Sequence, residues 1–376
     1  MKISLVTETY PPEVNGVAMT LEHLVHGLVA RGHSMEVVRP RQGKGDVAAQ
    51  SAGMSEFLSI GLPLPGYSGL HFGIIRAGKL VKHWREHRPD LVHVATEGPL
   101  GWAAIRAAKK LGIATVSSFH TNFHSYGQHY GYGMLIRTAL SWLRYIHNST
   151  RLTFAPSPDV VQTLEKEGFR NMRLLGRGVD TELFDPSRRS EELRKSWGAG
   201  PETPVAVYVG RLAGEKNLPV AVQAFKTMRS KIPELRFVLV GDGPSRATLE
   251  KENPEFHFAG MRRGEDLATH YASADLFIFA SVTETFGNVV TEAMASGLPA
   301  LAYDYAAPAK YIVNGESGRL AAYGDTEAFI AAAGIMAQEQ AHWAEMGRNA
   351  RKTAEGISWD AVIDGYAEDI RKVLNA

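Results

Sequence analysis

Residues 281–302 read SVTETFGNVVTEAMASGLPALA, and the fold follows from how this stretch is parsed. The apolar run Leu276-Phe277-Ile278-Phe279 before it has the composition of a buried strand. Gly287-Asn288 opens a helical pattern that stops at Gly297, with Pro299 just beyond. A strand therefore ends, a short loop carries Glu284, and a helix starts with Glu292 about one turn inside it. The free N–H groups of a helix start favour a phosphate or another anion. The two carboxylates admit two readings. They grip hydroxyl groups on either side of a diphosphate, or they belong to a surface turn followed by an acidic helix.

The same unit recurs on both sides. Residues 205–209 form a strand that runs into Gly210-Arg211-Leu212-Ala213-Gly214-Glu215-Lys216-Asn217, with a helix from about Pro219. Two cations in a glycine-flanked turn before a helix make a candidate anion site, although the GxxxxGK[ST] pattern is absent. Strands at 237–240, 257–259 and 300–302 run into Gly241-Asp242-Gly243-Pro244, Gly260-Met261-Arg262 and Tyr303-Asp304. The chain ends in helices, the last near 359–374, which is expected to pack against the first half.

Toward the N-terminus, residues 3–7 are a strand and residues 8–18 a loop punctuated by Pro11, Pro12 and Gly16. A helix to about Arg31 with Leu21, Leu24, Val25 and Leu28 in phase precedes a strand at 35–38. This is the opening of a doubly wound sheet without a dinucleotide GxGxxG. The single Gly16 would let backbone approach a ligand closely. Residues 40–72 read as loops around one short strand, 57–60. Strands at 91–94 and 114–117 follow helices near 74–87 and 100–111. The second of these strands ends in Phe119-His120, and ligands of open α/β sheets sit beyond the carboxyl ends of strands, so His120 is a candidate site residue. A strand at 152–155 and a helix near 159–167 complete this half. Residues 176–180 read as a linker. The expected architecture is α/β, with two doubly wound units facing a ligand-binding cleft. The expected domains are 1–185, completed by 359–376, and 186–358.

Composition bounds the function. A chain of 376 residues, 44% hydrophobic and 22% charged, is long enough for two cores. With no cysteine, disulfides and thiolate metal sites are excluded. The N-terminus MKISLVTETYPP lacks the apolar core of a signal peptide, and no apolar run approaches a membrane span. The expected location is the cytoplasm, soluble or peripheral to the membrane. A net charge of +1 argues against nucleic acid as a partner. Residues 1–180 hold 20 Lys+Arg and 13 Asp+Glu, and residues 181–376 hold 21 and 27. A basic half faces an anionic membrane or a phosphorylated substrate, or else the two halves attract each other. Residues 134–146 form a helix with Leu135, Ala139, Trp142 and Leu143 on one side and Arg137 and Arg144 near another. It is an interfacial membrane helix or a helix packed on its own sheet.

Taken in this order, the chain resembles the family-4 retaining glycosyltransferases of GT-B fold over nearly its whole length. The resemblance is carried by Val209-Gly210-Arg211-Leu212 with Lys216-Asn217, by Val240-Gly241-Asp242-Gly243-Pro244, and by the Glu-x7-Glu motif from Glu284 to Glu292 with Ala293-Met294-Ala295-Ser296-Gly297-Leu298-Pro299. It implies that Arg211 and Lys216 hold the donor diphosphate and stabilise its leaving charge. Glu284 would bind donor-sugar hydroxyls, and Phe286, Gly287 and Asn288 would present backbone N–H groups. Glu292 would bind the ribose, and Gly16 would lie near the donor phosphate. His120 would contact the transferring sugar near its C6 hydroxyl, and Met261-Arg262 would lie beside the base. The resemblance also implies that the acceptor hydroxyl attacks from the leaving phosphate's own face, which needs no enzymic nucleophile.

The loop from Glu8 to Ala18 is similar to the subgroup with sulfoquinovosyldiacylglycerol synthases, phosphatidylinositol mannosyltransferases and bacterial diacylglycerol glycosyltransferases. That implies a UDP- or GDP-sugar donor and a membrane-lipid acceptor such as diacylglycerol. The chain departs from the family at Ala306-Ala307-Pro308-Ala309-Lys310, where Gly-Gly-x-x-Glu is usual. A metal is not expected, because no Asp-x-Asp is present and Arg211 and Lys216 supply the positive charge. No other cofactor is expected either. Glycosidase chemistry fits poorly, since its carboxyls stand about 5–9.5 Å apart and eight helical residues span about 12 Å. A soluble acceptor and a non-catalytic nucleotide-sugar binder are the alternatives. An epimerase or phosphorylase on the same fold is a further option, the phosphorylase lacking its pyridoxal-phosphate lysine context here.

Overall fold

The computed structural model describes residues 1–13, 15–63, 71–120, 133–284 and 286–375, with only the backbone of 133–137. Two compact units emerge: Met1–Arg177 with Trp359–Ala376, and Gly178–Ser358. The second unit starts at Gly178 rather than at about 186, because Val179 and Phe184 are buried in its core and the N–H of Val179 binds Ile357 O.

The first unit is built on strands β1 (Lys2–Val6), β2 (Ser34–Pro40), β3 (Gln50–Ser51), β4 (Met54–Pro63), β5 (His71–Ile74), β6 (Leu91–Val94), β7 (Ala114–Ser118), β8 (Leu152–Ala155) and β9 (Met172–Leu174). The sheet order is β3-β4-β2-β1-β6-β7-β8-β9, with β5 on β4. All pairs are parallel except β3–β4 and β4–β5. The pleat sends alternate residues of β1 to opposite helix layers. Ile3 and Leu5 pack with the helix Gly16–Ala30, while Val6 packs with Leu80, Trp84 and Leu100. The C-terminal helix Trp359–Asn375 adds Ile363, Tyr366, Ala367 and Ile370 to the first of these layers. Gly27 permits that packing: a Cβ there would stand 2.0 Å from Ile363 Cδ1.

The reading of 40–72 as loops around one short strand is corrected by a ten-residue β4 flanked by β3 and β5. Its burial is intermediate over five successive residues, so it lacks the alternation that marks a half-buried strand.

The second unit carries β10 (Val205–Val209), β11 (Arg236–Val240), β12 (His257–Gly260), β13 (Leu276–Phe279), β14 (Ala300–Tyr303) and β15 (Gly318–Ala321), all parallel. The order β12-β11-β10-β13-β14-β15 is the doubly wound arrangement, and it reverses direction between β10 and β13. Both central strands are buried along their whole length, which is why they read as unbroken apolar runs. The glycines after β10 and β11 let these loops touch. Gly241 has φ +140°, and a Cβ there would lie 1.9 Å from Gly210 O. Leu212 N donates to Asp242 O at 2.9 Å, locking the two loops together.

Candidate active site

The carboxyl ends of β10 and β13 flank the switch point of the second sheet, where crevices in such folds bind ligands. The loop after β10 supplies Arg211 and Lys216, and the loop after β13 supplies Glu284. Lys216 Nζ lies 2.5 Å from Glu284 Oε1, and Ser281 Oγ donates to the same oxygen at 2.7 Å. Thr283 Oγ1 donates to Glu215 O at 3.0 Å, so backbone as well as charge joins the two loops. Arg211 is more exposed and makes a looser pair with Glu215 at 3.4 Å. Its carbonyl accepts from Tyr208 OH at 3.1 Å.

Gly287 then turns the chain with φ +97°, in the left-handed region that glycine enters at little cost, and the helix Asn288–Ala295 begins. Phe286 is buried and its carbonyl is taken by Ala307 N at 2.8 Å. Glu292 Oε2 accepts from Tyr271 OH at 3.0 Å. Burial pushes the Glu292 carboxyl up to about 7, against a smaller opposing effect of the Tyr271 hydrogen bond. Two tyrosines that sequence reading passed over thus support the motif. Tyr271 sits under Glu292, and Tyr305 OH donates to the backbone carbonyl of Glu284. Tyr305 stands just before the atypical Ala306–Tyr311 helix, whose Ala306 has φ +56°. Met261 is exposed at the end of β12. Arg262 is bound to Ala259 O at 2.9 Å and Asp266 at 3.0 Å, so its guanidinium is held by its own loop and helix.

In the first unit the switch point lies between β1 and β6. Asn15 caps the helix Gly16–Ala30 by accepting from Val17 and Ala18 N, which leaves Gly16 exposed at its first turn. Glu8, which sequence reading left in the loop, accepts from Leu100 N at 3.3 Å, and burial raises its carboxyl to about 7. His120 lies just past β7, with Nε2 2.8 Å from Ser118 Oγ and Nδ1 buried without a hydrogen-bond partner among the described residues. Burial, and then the neighbouring Arg177 cation, hold its pKa well below the ordinary histidine value, so the ring is neutral.

Of the membrane-interface candidates, Trp142 is exposed on the helix Gly133–Asn148 and meets Trp102 at 5.1 Å between ring centroids. Tyr145 joins them at 5.5 Å from Trp102. Arg144 donates to Glu167 O at 3.0 Å, so it is partly engaged by its own chain. The side chain of Arg137 lies outside the described residues, as does Thr285 of the motif. Among the described residues there is no cluster of three or more metal-ligating side chains, and no helix is long and apolar enough to cross a membrane.

Residues 14–183 match the family described as Glycosyltransferase Family 4, and residues 189–353 match Glycosyl transferases group 1. A GDP-mannose-dependent alpha-mannosyltransferase from Mycobacterium tuberculosis is 32% identical over 99% of this chain and 97% of its own length. An alpha-monoglucosyldiacylglycerol synthase from Acholeplasma laidlawii is 27% identical over 85% of this chain and 84% of its own. Among solved structures, sucrose-phosphate synthase from Thermosynechococcus elongatus superposes with a TM-score of 0.80 at 18% identity, covering 100% of this chain and 99% of that one. That likeness concerns the GT-B fold alone.

Proposed function

This chain belongs to the family-4 glycosyltransferases and is an enzyme that uses nucleotide sugars, and from that premise we propose that it moves a hexose to a hydroxyl of a membrane lipid such as diacylglycerol. The observation that carries the reading is the Lys216–Glu284 pair beside the Gly287 helix start, at the switch point of the second sheet. In this reading Lys216 and Arg211 bind the diphosphate. Among the described residues both bonds to the Glu284 carboxylate fall on Oε1, which leaves Oε2 for a sugar hydroxyl. Glu292 takes the ribose, the N–H groups of Gly287 and Asn288 face sugar or phosphate, and Gly16 and His120 serve the donor from the first unit.

The bond between the anomeric carbon and the leaving phosphate oxygen breaks, its electron pair going to that oxygen. The acceptor oxygen bonds the same face of the sugar, and its proton passes to the departing phosphate, giving retention. The positive charge of Arg211 and Lys216 offsets the charge that grows on the leaving group, so the reaction is expected to proceed without a metal.

GDP-mannose is the first donor to test because the mycobacterial relative is named for it, with UDP-sugars next. The lipid acceptor is supported by the name of the diacylglycerol relative. It is also supported by the exposed Trp142 and Tyr145 rings, which meet the partly buried Trp102. Arg106, Lys109 and Lys110 are exposed along the same helix as Trp102. Aromatic rings with nearby cations suit an anionic headgroup layer, so association at the cytoplasmic surface of the membrane is part of the proposal.

Purified protein with vesicles of diacylglycerol and anionic lipid is expected to release nucleoside diphosphate from one of these donors, with chelator present. Absence of release with every donor rejects the reading. Turnover only with a soluble acceptor would move the enzyme off the membrane. Glu284→Ala is expected to lower kcat by about 10²- to 10³-fold. Glu292→Ala acts mainly on nucleotide affinity, and equal effects of the two variants on affinity alone would overturn this division of roles.

A further inference from the structure

A buried chain of hydrogen bonds runs from the C-terminal helix to His120. Tyr366 OH is 2.7 Å from His93 Nδ1, and His93 Nε2 is 3.0 Å from Ser118 Oγ. Ser118 Oγ is in turn 2.8 Å from His120 Nε2. Tyr366, His93 and Ser118 are all buried. His93 is held neutral, its pKa pushed down to about 3 by burial, and His120 is neutral for the reason given above.

Two neutral imidazoles and two hydroxyls can fill these three contacts in three consistent ways, because Ser118 Oγ can also accept from both rings. If His93 Nδ1 carried the hydrogen, it would donate to Tyr366, and the phenol hydrogen would have no acceptor among the described residues. If Ser118 accepted from both rings, its own hydroxyl hydrogen would have no acceptor among the described residues. In the remaining arrangement both hydroxyl hydrogens are used. Tyr366 donates to His93 Nδ1, His93 Nε2–H donates to Ser118, and Ser118 donates to His120 Nε2. The hydrogen of His120 then sits on Nδ1, the buried ring atom that lacks a partner among the described residues.

We propose that Tyr366, His93 and Ser118 are positioning residues that fix His120 as its neutral Nδ1–H tautomer, reserving one hydrogen-bond donor for an oxygen of the donor sugar or its phosphate. The ring is then a donor and not a base, in keeping with a transfer whose proton goes to the leaving phosphate. The ligand half of this statement rests on the function proposed above, while the tautomer half does not.

The test is long-range proton–nitrogen NMR of the full chain labelled at histidine nitrogens, with His120 assigned by His120→Gln. The wild type is expected to show Nδ1–H at His120. Tyr366→Phe keeps the ring packing but removes the hydroxyl that orders the chain. It is expected to give a mixture with the Nε2–H form and to lower kcat about tenfold, with donor KM and the melting midpoint little changed. Ser118→Ala is expected to behave alike, and Ser118→Thr to restore both readouts. An Nε2–H tautomer in the wild type overturns the proposal, as does a Tyr366→Phe protein with unchanged tautomer and rate. A shifted tautomer with unchanged kcat supports the relay and overturns the assignment of His120 to the reacting sugar.

Discussion

Glu284 and Glu292 are the two ends of one motif, yet their surroundings differ. Glu284 meets a cation and a hydroxyl, and among the described residues Glu292 is bonded only by the Tyr271 hydroxyl, in a poorly solvated position. An acid whose folded pKa stands near 7 instead of 4.5 keeps a proton that the unfolded chain releases. Its contribution is therefore least unfavourable below pH 4.5, and the folded state loses stability as pH rises from there through 7. Glu292→Gln retains an acceptor for Tyr271 and removes the ionisation. It is expected to raise the melting midpoint at pH 8 and to leave it unchanged at pH 4, as read by calorimetry at both values. A gain that is the same at both pH values would mean that burial does not penalise this carboxylate. The ribose contact of the proposed function favours the ionised form, so nucleotide binding to the wild type should release protons near pH 7. Titration calorimetry in buffers of unlike ionisation enthalpy reads that release, and Glu292→Gln should abolish it.

At the scale of elements, the helix Gly133–Asn148 carries the sharpest consequence. Trp142 and Tyr145 are exposed on it, and both meet Trp102, which comes from the helix Pro99–Leu111. Two helices thus share one aromatic patch, and the expected anchoring involves Trp102 as much as Trp142. Trp102→Ala with Trp142→Ala is expected to abolish flotation with anionic vesicles while leaving nucleotide binding intact. Arg144→Ala alone should matter little, since that guanidinium is already used by Glu167 O. Full flotation of the double tryptophan variant would place the membrane contact elsewhere.

The same scale accounts for what could be read from sequence. The buried parallel strands β10, β11, β13 and β14 are apolar runs, and the turns after the first three of them carry glycines that the backbone requires, so both the doubly wound order and the loops holding Lys216 and Glu284 were legible. The partly exposed β4 and the short edge strands β9 and β15 carry no such pattern. Partners drawn from remote elements were hidden for another reason. Nothing local marks Tyr271 as the ligand of Glu292, Tyr305 as the prop of Glu284, or Tyr366 as the end of a chain that reaches His120.

At the scale of the molecule, the chain leaves the first unit at Arg177, builds the second, and returns at Trp359 to complete the first. The returning helix buries Ile363, Tyr366, Ala367 and Ile370 against Leu21, Leu24 and Val25. Each large apolar side chain so buried is worth about 1.5–3 kcal/mol, so losing the two largest and baring the face beneath costs on the order of 5 kcal/mol or more. That is comparable with the whole stability of an ordinary domain, about 5–15 kcal/mol. The ion pairs of Arg31 with Asp360 and Asp364 add little, since both carboxylates are largely exposed. The second unit draws none of its core from this helix. A chain ending at Ser358 is therefore expected to lose one cooperative unfolding transition and keep the other. Under limited proteolysis, a fragment spanning about 178–358 should survive while 1–177 is digested. A protected 1–177 fragment in the truncated chain would show that the first sheet and its own helices suffice, and that the returning helix serves only to bring Tyr366 to His93.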